Sequence, residues 1–95
     1  MATRRPRVLT LSAKASLILQ LLVRHDQAYG LELVSASRGR LKRGTVYVTL
    51  GRMEEKGLVS SRAGESGRRL YKPTALGERA LLAARIFAGQ ISVKA

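Results

Sequence analysis

The chain has 95 residues, 45% of them hydrophobic, and its 18 Lys and Arg against 6 Asp and Glu leave a net charge of +12 and a pI near 11.5. That length fits one small domain with a modest core, and that apolar content excludes a wholly disordered basic tail. The lack of cysteine excludes disulfides and thiolate metal sites, and one histidine with six acids offers no catalytic constellation.

No enzyme activity, metal or cofactor is therefore expected. The excess positive charge favours a polyanion, with nucleic acid ahead of a membrane surface. The apolar stretch Ala15 to Val23 follows an arginine pair, as in an export signal, but it is interrupted upstream by Lys14 and is too short to span a bilayer. A cytoplasmic, nucleoid-associated protein is expected.

Residues 1–9 read as a basic arm in which Arg4, Arg5 and Arg7 surround Pro6. This arm is either a solubilising tail or a contact to a nucleic-acid backbone. Residues 10–73 read as the domain proper. Helix one starts after a Thr10 or Ser12 cap and runs to about Arg24, with Leu11, Ala15, Ile18 and Leu22 at helical spacing. His25-Asp26-Gln27 forms a turn. Helix two is expected from about Ala28 to Ser37, with Tyr29, Leu33 and Ala36 on its inner edge and Gly39 at its stop. Leu41 then reads as a short extended residue that pairs with later strands.

Helix three, residues 44–56, separates scaffold from function on a helical wheel. Val46, Leu50 and Met53 form the core side, whereas Val48, Gly51, Arg52 and Glu55 lie opposite and Thr45, Tyr47 and Thr49 flank the start or edges. Lys42 and Arg43 precede the helix, and Glu54 and Glu55 close it. That polarity turns the N-terminal half toward phosphate and the C-terminal half away. Thr45 has two readings, as the N-cap or as a groove contact. Tyr47 has two as well, as a ring packed between helices or a phenol on phosphate. Gly51 costs about 1 kcal/mol against alanine inside a helix, which points to a close approach there.

Gly57 supplies a left-handed stop, after which residues 58–72 form a wing: a strand to Arg62, a loop over residues 63–67, and a returning strand from Arg68 to Lys72. Arg62, Arg68 and Arg69 are expected on a DNA backbone or in a minor groove. Residues 38–72 carry ten basic against three acidic residues, so most of the net charge lies in this segment. Residues 74–95 begin with a Thr74 cap and continue as a helix apolar on more than one side. Leu76, Ala80, Leu82, Ala83, Ile86 and Phe87 are expected in a homodimer interface, which would pair two recognition helices on a pseudo-palindromic site.

The fold class is thus mainly α with a small β-hairpin, a winged helix-turn-helix with a C-terminal dimerisation helix. The expected function is sequence-specific binding of double-stranded DNA as a dimer. The alternatives are a sequence-neutral architectural, plasmid or viral DNA-binding protein and, third, a winged-helix protein-interaction module. The DNA-binding residues expected are Lys42, Arg43, Thr45, Tyr47, Val48, Thr49, Arg52, Arg62, Arg68 and Arg69, with the arm arginines. The sequence is silent on a small-molecule effector.

Tyr29-Gly30, Gly44-Thr45-Val46-Tyr47, Leu50, Met53 through Val59, Gly67-Arg68-Arg69 and Tyr71 through Gly77 together resemble the PadR family of bacterial transcriptional regulators, over roughly residues 11–83. The resemblance implies a dimeric winged-helix repressor with its last helix in the dimer interface. It also implies that Tyr47 is the family tyrosine of helix three and Thr45 the small polar residue before it. Val48 stands where proline is common, and Gly51 where lysine or another polar residue is usual. The C-terminal region is short for members with a long coiled-coil extension, and the chain has no tryptophan for aromatic ligand stacking.

Overall fold

The computed structural model describes residues 11–87. In chain order they form helix α1 (Ala13–His25), strand β1 (Ala28–Tyr29), helix α2 (Gly30–Ala36), helix α3 (Arg43–Glu55), strand β2 (Val59–Ala63), a 3-10 turn (Glu65–Gly67), strand β3 (Arg69–Pro73) and helix α4 (Ala75–Phe87). The strands make one antiparallel sheet in the order β1-β3-β2.

Helix α1 starts at Ser12, whose Oγ accepts from the Ala15 N–H at 3.1 Å. This is the N-cap expected there. Its buried residues are Ala15, Ile18, Leu19, Leu21 and Leu22, a wider stripe than a single edge because α1 is enclosed by α3, α4 and β3. Leu11 is only partly buried. The inner stripe of α3, Val46, Leu50 and Met53, is buried as the helical wheel requires.

The second helix departs from expectation at its start. Residues 28 and 29 are extended and pair with Tyr71 and Leu70, so α2 begins only at Gly30. The third strand of the sheet is therefore β1, and Leu41 does not pair with a strand. Leu41 is instead buried between the helices, with its N–H bonded to the Ser37 hydroxyl at 3.0 Å. The periodic pattern of helix two could not reveal this, because a two-residue strand has too few residues to show an alternation. The left-handed turn after α2 begins at Arg38 (φ 55°) and continues through Gly39 (φ 88°).

The base of the wing is closed by one junction. After α3, Gly57 has φ 79°, the Gly57 N–H donates to the Glu54 carbonyl at 3.0 Å, and the Leu58 N–H donates to the Met53 carbonyl at 2.9 Å. These two bonds end the helix in a Schellman turn. On the returning side the Thr74 hydroxyl donates to the Gly57 carbonyl at 2.6 Å and accepts from the Gly77 N–H at 3.0 Å, and the Thr74 N–H donates to the Leu58 carbonyl at 3.1 Å. Gly77 is buried in the first turn of α4, where a Cβ would collide with the Leu58 carbonyl oxygen.

Gly77→Ala should accordingly destabilise the fold by about 1–3 kcal/mol through overpacking. A fall in melting temperature on the order of 5–20 °C is expected for a domain of this size, read by thermal unfolding followed by circular dichroism. An unchanged melting temperature would mean that α4 does not seat on Leu58.

Candidate nucleic-acid interface

The sharp turn between α2 and α3 rests on one buried hydroxyl. Ser37 is 2% exposed, its Oγ donates to the Val34 carbonyl at 2.8 Å, and it accepts from the Leu41 N–H at 3.0 Å. Leu41, buried next to this turn, brings the chain back to the core before α3 starts. Together they set the direction in which α3 leaves α2. Ser37→Ala should cost about 1–3 kcal/mol, since it leaves the buried Leu41 N–H without an acceptor. Urea denaturation measures this, and a loss below about 0.5 kcal/mol would assign the turn to Leu41 packing alone.

Lys42 occupies the N-cap of α3 with no side-chain cap bond. Thr45 lies inside the first turn, so its expected capping role is not realised; its side chain is half-buried. The helix starts three residues earlier than a threonine cap would have placed it, because Leu41 already anchors the chain. Uncapped N–H groups in the first turn of a helix are free to meet an anion.

Thr45, Val48, Thr49 and Arg52 line one shallow open concavity of about 560 Å³, together with Gly44 from α3 and Ser12 and Lys14 from α1. Val48 is 56% exposed and Tyr47 44% exposed. No carboxylate falls between Arg43 and Arg52. Gly44 and Gly51 face open space, so nothing among the described residues requires a glycine at either position. The Tyr47 ring, by contrast, lies against Gly30: a Cβ on Gly30 would come within 2.6–2.8 Å of the ring. Tyr47 is thus packed on α2 through its phenolic end, as the first reading expected, and part of its surface is open to solvent.

The three wing arginines do not share a face. Register pairs Arg62 with Leu70 and Ala63 with Arg69, which sends Arg62 and Arg69 to opposite sides of the hairpin. The Arg62 guanidinium reaches the Gln27 side chain at 3.4 Å, and Lys72 borders the same small recess. Arg69 donates to the Ser61 hydroxyl at 3.0 and 3.3 Å, and that hydroxyl donates to the Glu54 carboxylate at 2.8 Å. Glu54 is thereby turned toward the wing base. The neighbouring Tyr71 phenol is held above its ordinary value of 10.0, by burial first and by the Glu54 charge second. Arg68 lies 4.2 Å from the centre of the Tyr29 ring.

In α4, Ala80 and Leu81 are covered by the chain's own core, whereas Leu82 and Ile86 are 51% and 50% exposed and Leu76 is 40% exposed. Ala83 is also exposed. The side chain of Phe87 and the arm arginines Arg4, Arg5 and Arg7 lie outside the described residues. Among the described residues no acidic, His or Cys group is arranged to hold a metal, and no helix is long and apolar enough to cross a membrane. Sequence reading missed Ser12 and Lys14 beside α3, because they are adjacent to it only in the fold, and it assigned Tyr29 to a helix edge.

Residues 18–83 match the model of the transcriptional regulator PadR-like family. The chain belongs to that family. Its members are transcriptional regulators, and the match covers the helix-turn-helix, the wing and most of α4. Among solved structures, a PadR family transcription regulator from hypervirulent Clostridium difficile is similar, with 27% identity, a TM-score of 0.63, and coverage of 82% of this chain and 93% of that one. The complex structure of hsRosR-S4 has 24% identity and a TM-score of 0.71, covering 90% and 77%. A mutant MarR from E. coli complexed with operator DNA has 20% identity and a TM-score of 0.72, covering 84% and 57%. The last two likenesses establish a shared winged-helix fold, and this chain spans little more than half of that MarR chain. No curated protein matches the sequence.

Proposed function

We infer that this PadR-like chain regulates transcription as a dimeric repressor that binds a specific double-stranded DNA site. In this reading α3 enters the major groove, and the wing lies on the backbone or in the minor groove. One observation carries it: the exposed face of α3 from Gly44 to Arg52 is free of carboxylates and shares an open concavity with Lys14 of α1. Such a surface suits a ridge of phosphates flanking a groove, with Thr45, Val48, Thr49 and Arg52 toward base edges and Lys14, Lys42 and Arg43 toward phosphate. The MarR complexed with operator DNA supports the mode through its fold. The arm arginines and the wing arginines Arg62, Arg68 and Arg69 add backbone charge, with Arg69 partly engaged by Ser61. Residues 1–9 then serve as a basic arm, 10–73 as the DNA-binding domain and 74–95 as the dimerisation segment, in a protein of the cytoplasm and nucleoid.

Selection of bound duplexes from a random pool tests the reading, and a two-fold repeated half-site is the expected product. Arg52→Ala should weaken binding to the selected site by roughly tenfold to a hundredfold, and random duplex by much less. Arg68→Ala should weaken both alike and make the logarithmic salt dependence shallower by about 0.9. Equal losses for Arg52→Ala on both duplexes would favour a sequence-neutral binder, and no binding at low salt would leave a protein-interaction module.

The exposed Leu82, Ala83 and Ile86 on α4 support a second copy of the chain as the covering partner. Sedimentation should give a dimer at micromolar concentration, and Ile86→Glu should shift it to monomer with the fold intact. A monomeric parent protein would remove the dimer from the proposal.

A further inference from the structure

Two adjacent residues, Tyr29 and Gly30, touch both elements that the proposed function brings to DNA. On the wing side, the Tyr29 phenol oxygen accepts from the Glu65 N–H at 3.0 Å, and the Arg68 guanidinium carbon lies over the ring, 4.2 Å from its centre. Gly64 lies so close to the same ring that a Cβ there would come within 2.5–2.9 Å of its phenolic end. On the helix side, Gly30 forms the seat of the Tyr47 ring of α3. The dipeptide itself is held: Tyr29 pairs with Leu70 in the sheet, and its N–H donates to the Glu32 carboxylate at 2.8 Å.

The tip needs such a support. Its turn contains Ser66 at φ 57° and Gly67 at φ 74°, and none of residues 65–67 is buried. A hairpin end without buried apolar side chains has little of its own to fix its position. The Arg68 Nε donates to the Glu65 carbonyl at 3.4 Å, and its terminal nitrogens make no hydrogen bond among the described residues, so they can still meet a phosphate. Holding the side chain in advance removes an ordering cost from the binding step.

We propose that Tyr29-Gly30 gauges the separation between wing and recognition helix, and that Tyr29 is the positioning residue for Arg68. This rests on the DNA-binding reading above. Tyr29 acts through Arg68 and the wing tip, and it reads no base.

Tyr29→Phe keeps the ring beneath Arg68 and removes the acceptor of the Glu65 N–H. Hydrogen exchange of that amide in the free protein should accelerate about fivefold. Tyr29→Ala should weaken binding to the selected duplex about threefold to tenfold, with the salt slope unchanged because the Arg68 charge remains. In an Arg68→Ala background the same substitution should cost less than about twofold, as expected for residues acting together. Unchanged Glu65 exchange in Tyr29→Phe would show that the clasp is not formed. An equal loss of affinity in both backgrounds would show that Tyr29 supports general stability and does not position Arg68. A parent protein that binds no duplex would sink the functional reading and the positioning role with it, while the exchange arm would still report the clasp itself.

Discussion

The closure at the base of the wing is the constraint on which the remaining structure depends. Gly57, Leu58, Thr74 and Gly77 join four elements within a few ångströms, so that the end of α3, both wing strands and the start of α4 share one anchoring point. Backbone groups at a helix end must find partners or remain in water. Here the α3 carbonyls are met by the Schellman turn, the Gly57 carbonyl by the Thr74 hydroxyl, and the free Gly77 N–H of α4 by the same hydroxyl. One threonine therefore terminates one helix and starts another.

That junction also orders the charges. Helix α3 has its core stripe against α1 and its C-terminal end tied to the wing, which leaves its N-terminal half as the part free to meet a partner. Glu54 is drawn toward Ser61 and Arg69. A carboxylate in that position sits within a local network and does not confront a polyanion along the face of α3. The basic residues that remain available are divided among the concavity, the two faces of the hairpin and its tip. A binding surface of this kind is assembled from three separated elements, and its precision depends on how stiffly they are held together.

Beyond the wing-base junction, two further contacts add stiffness in the described residues. The buried Ser37 hydroxyl fixes the turn into α3, and Tyr29 with Gly30 bridges α3 to the wing tip. Both are small polar or aromatic contacts outside the main apolar core. Burial of Ile18, Leu19, Leu22, Val46 and Leu50 stabilises the domain as a whole, but apolar packing is non-directional. Directed hydrogen bonds and close glycine contacts are what select one relative orientation of α3 and wing.

The sequence by itself determined the element order after residue 43, the scaffold side of α3, the left-handed stop at Gly57, the Thr74 cap and the concentration of charge in residues 38–72. These follow from local rules: a 3.6-residue period, the conformational freedom of glycine and the preference of hydroxyls for helix starts. The family was legible for the same reason, since its motifs are contiguous. Only the tertiary structure decided that residues 28 and 29 form a strand, that Leu41 is a core residue and not a pairing one, and that α3 starts at Arg43 without Thr45 as its cap. It also decided which groups meet across long separations, Lys14 with the α3 face and Tyr29 beneath Arg68, and that Arg62 and Arg69 take opposite wing faces. Each of these depends on strand register or on helix packing between distant segments, and no local periodicity encodes a contact between residues nearly forty positions apart.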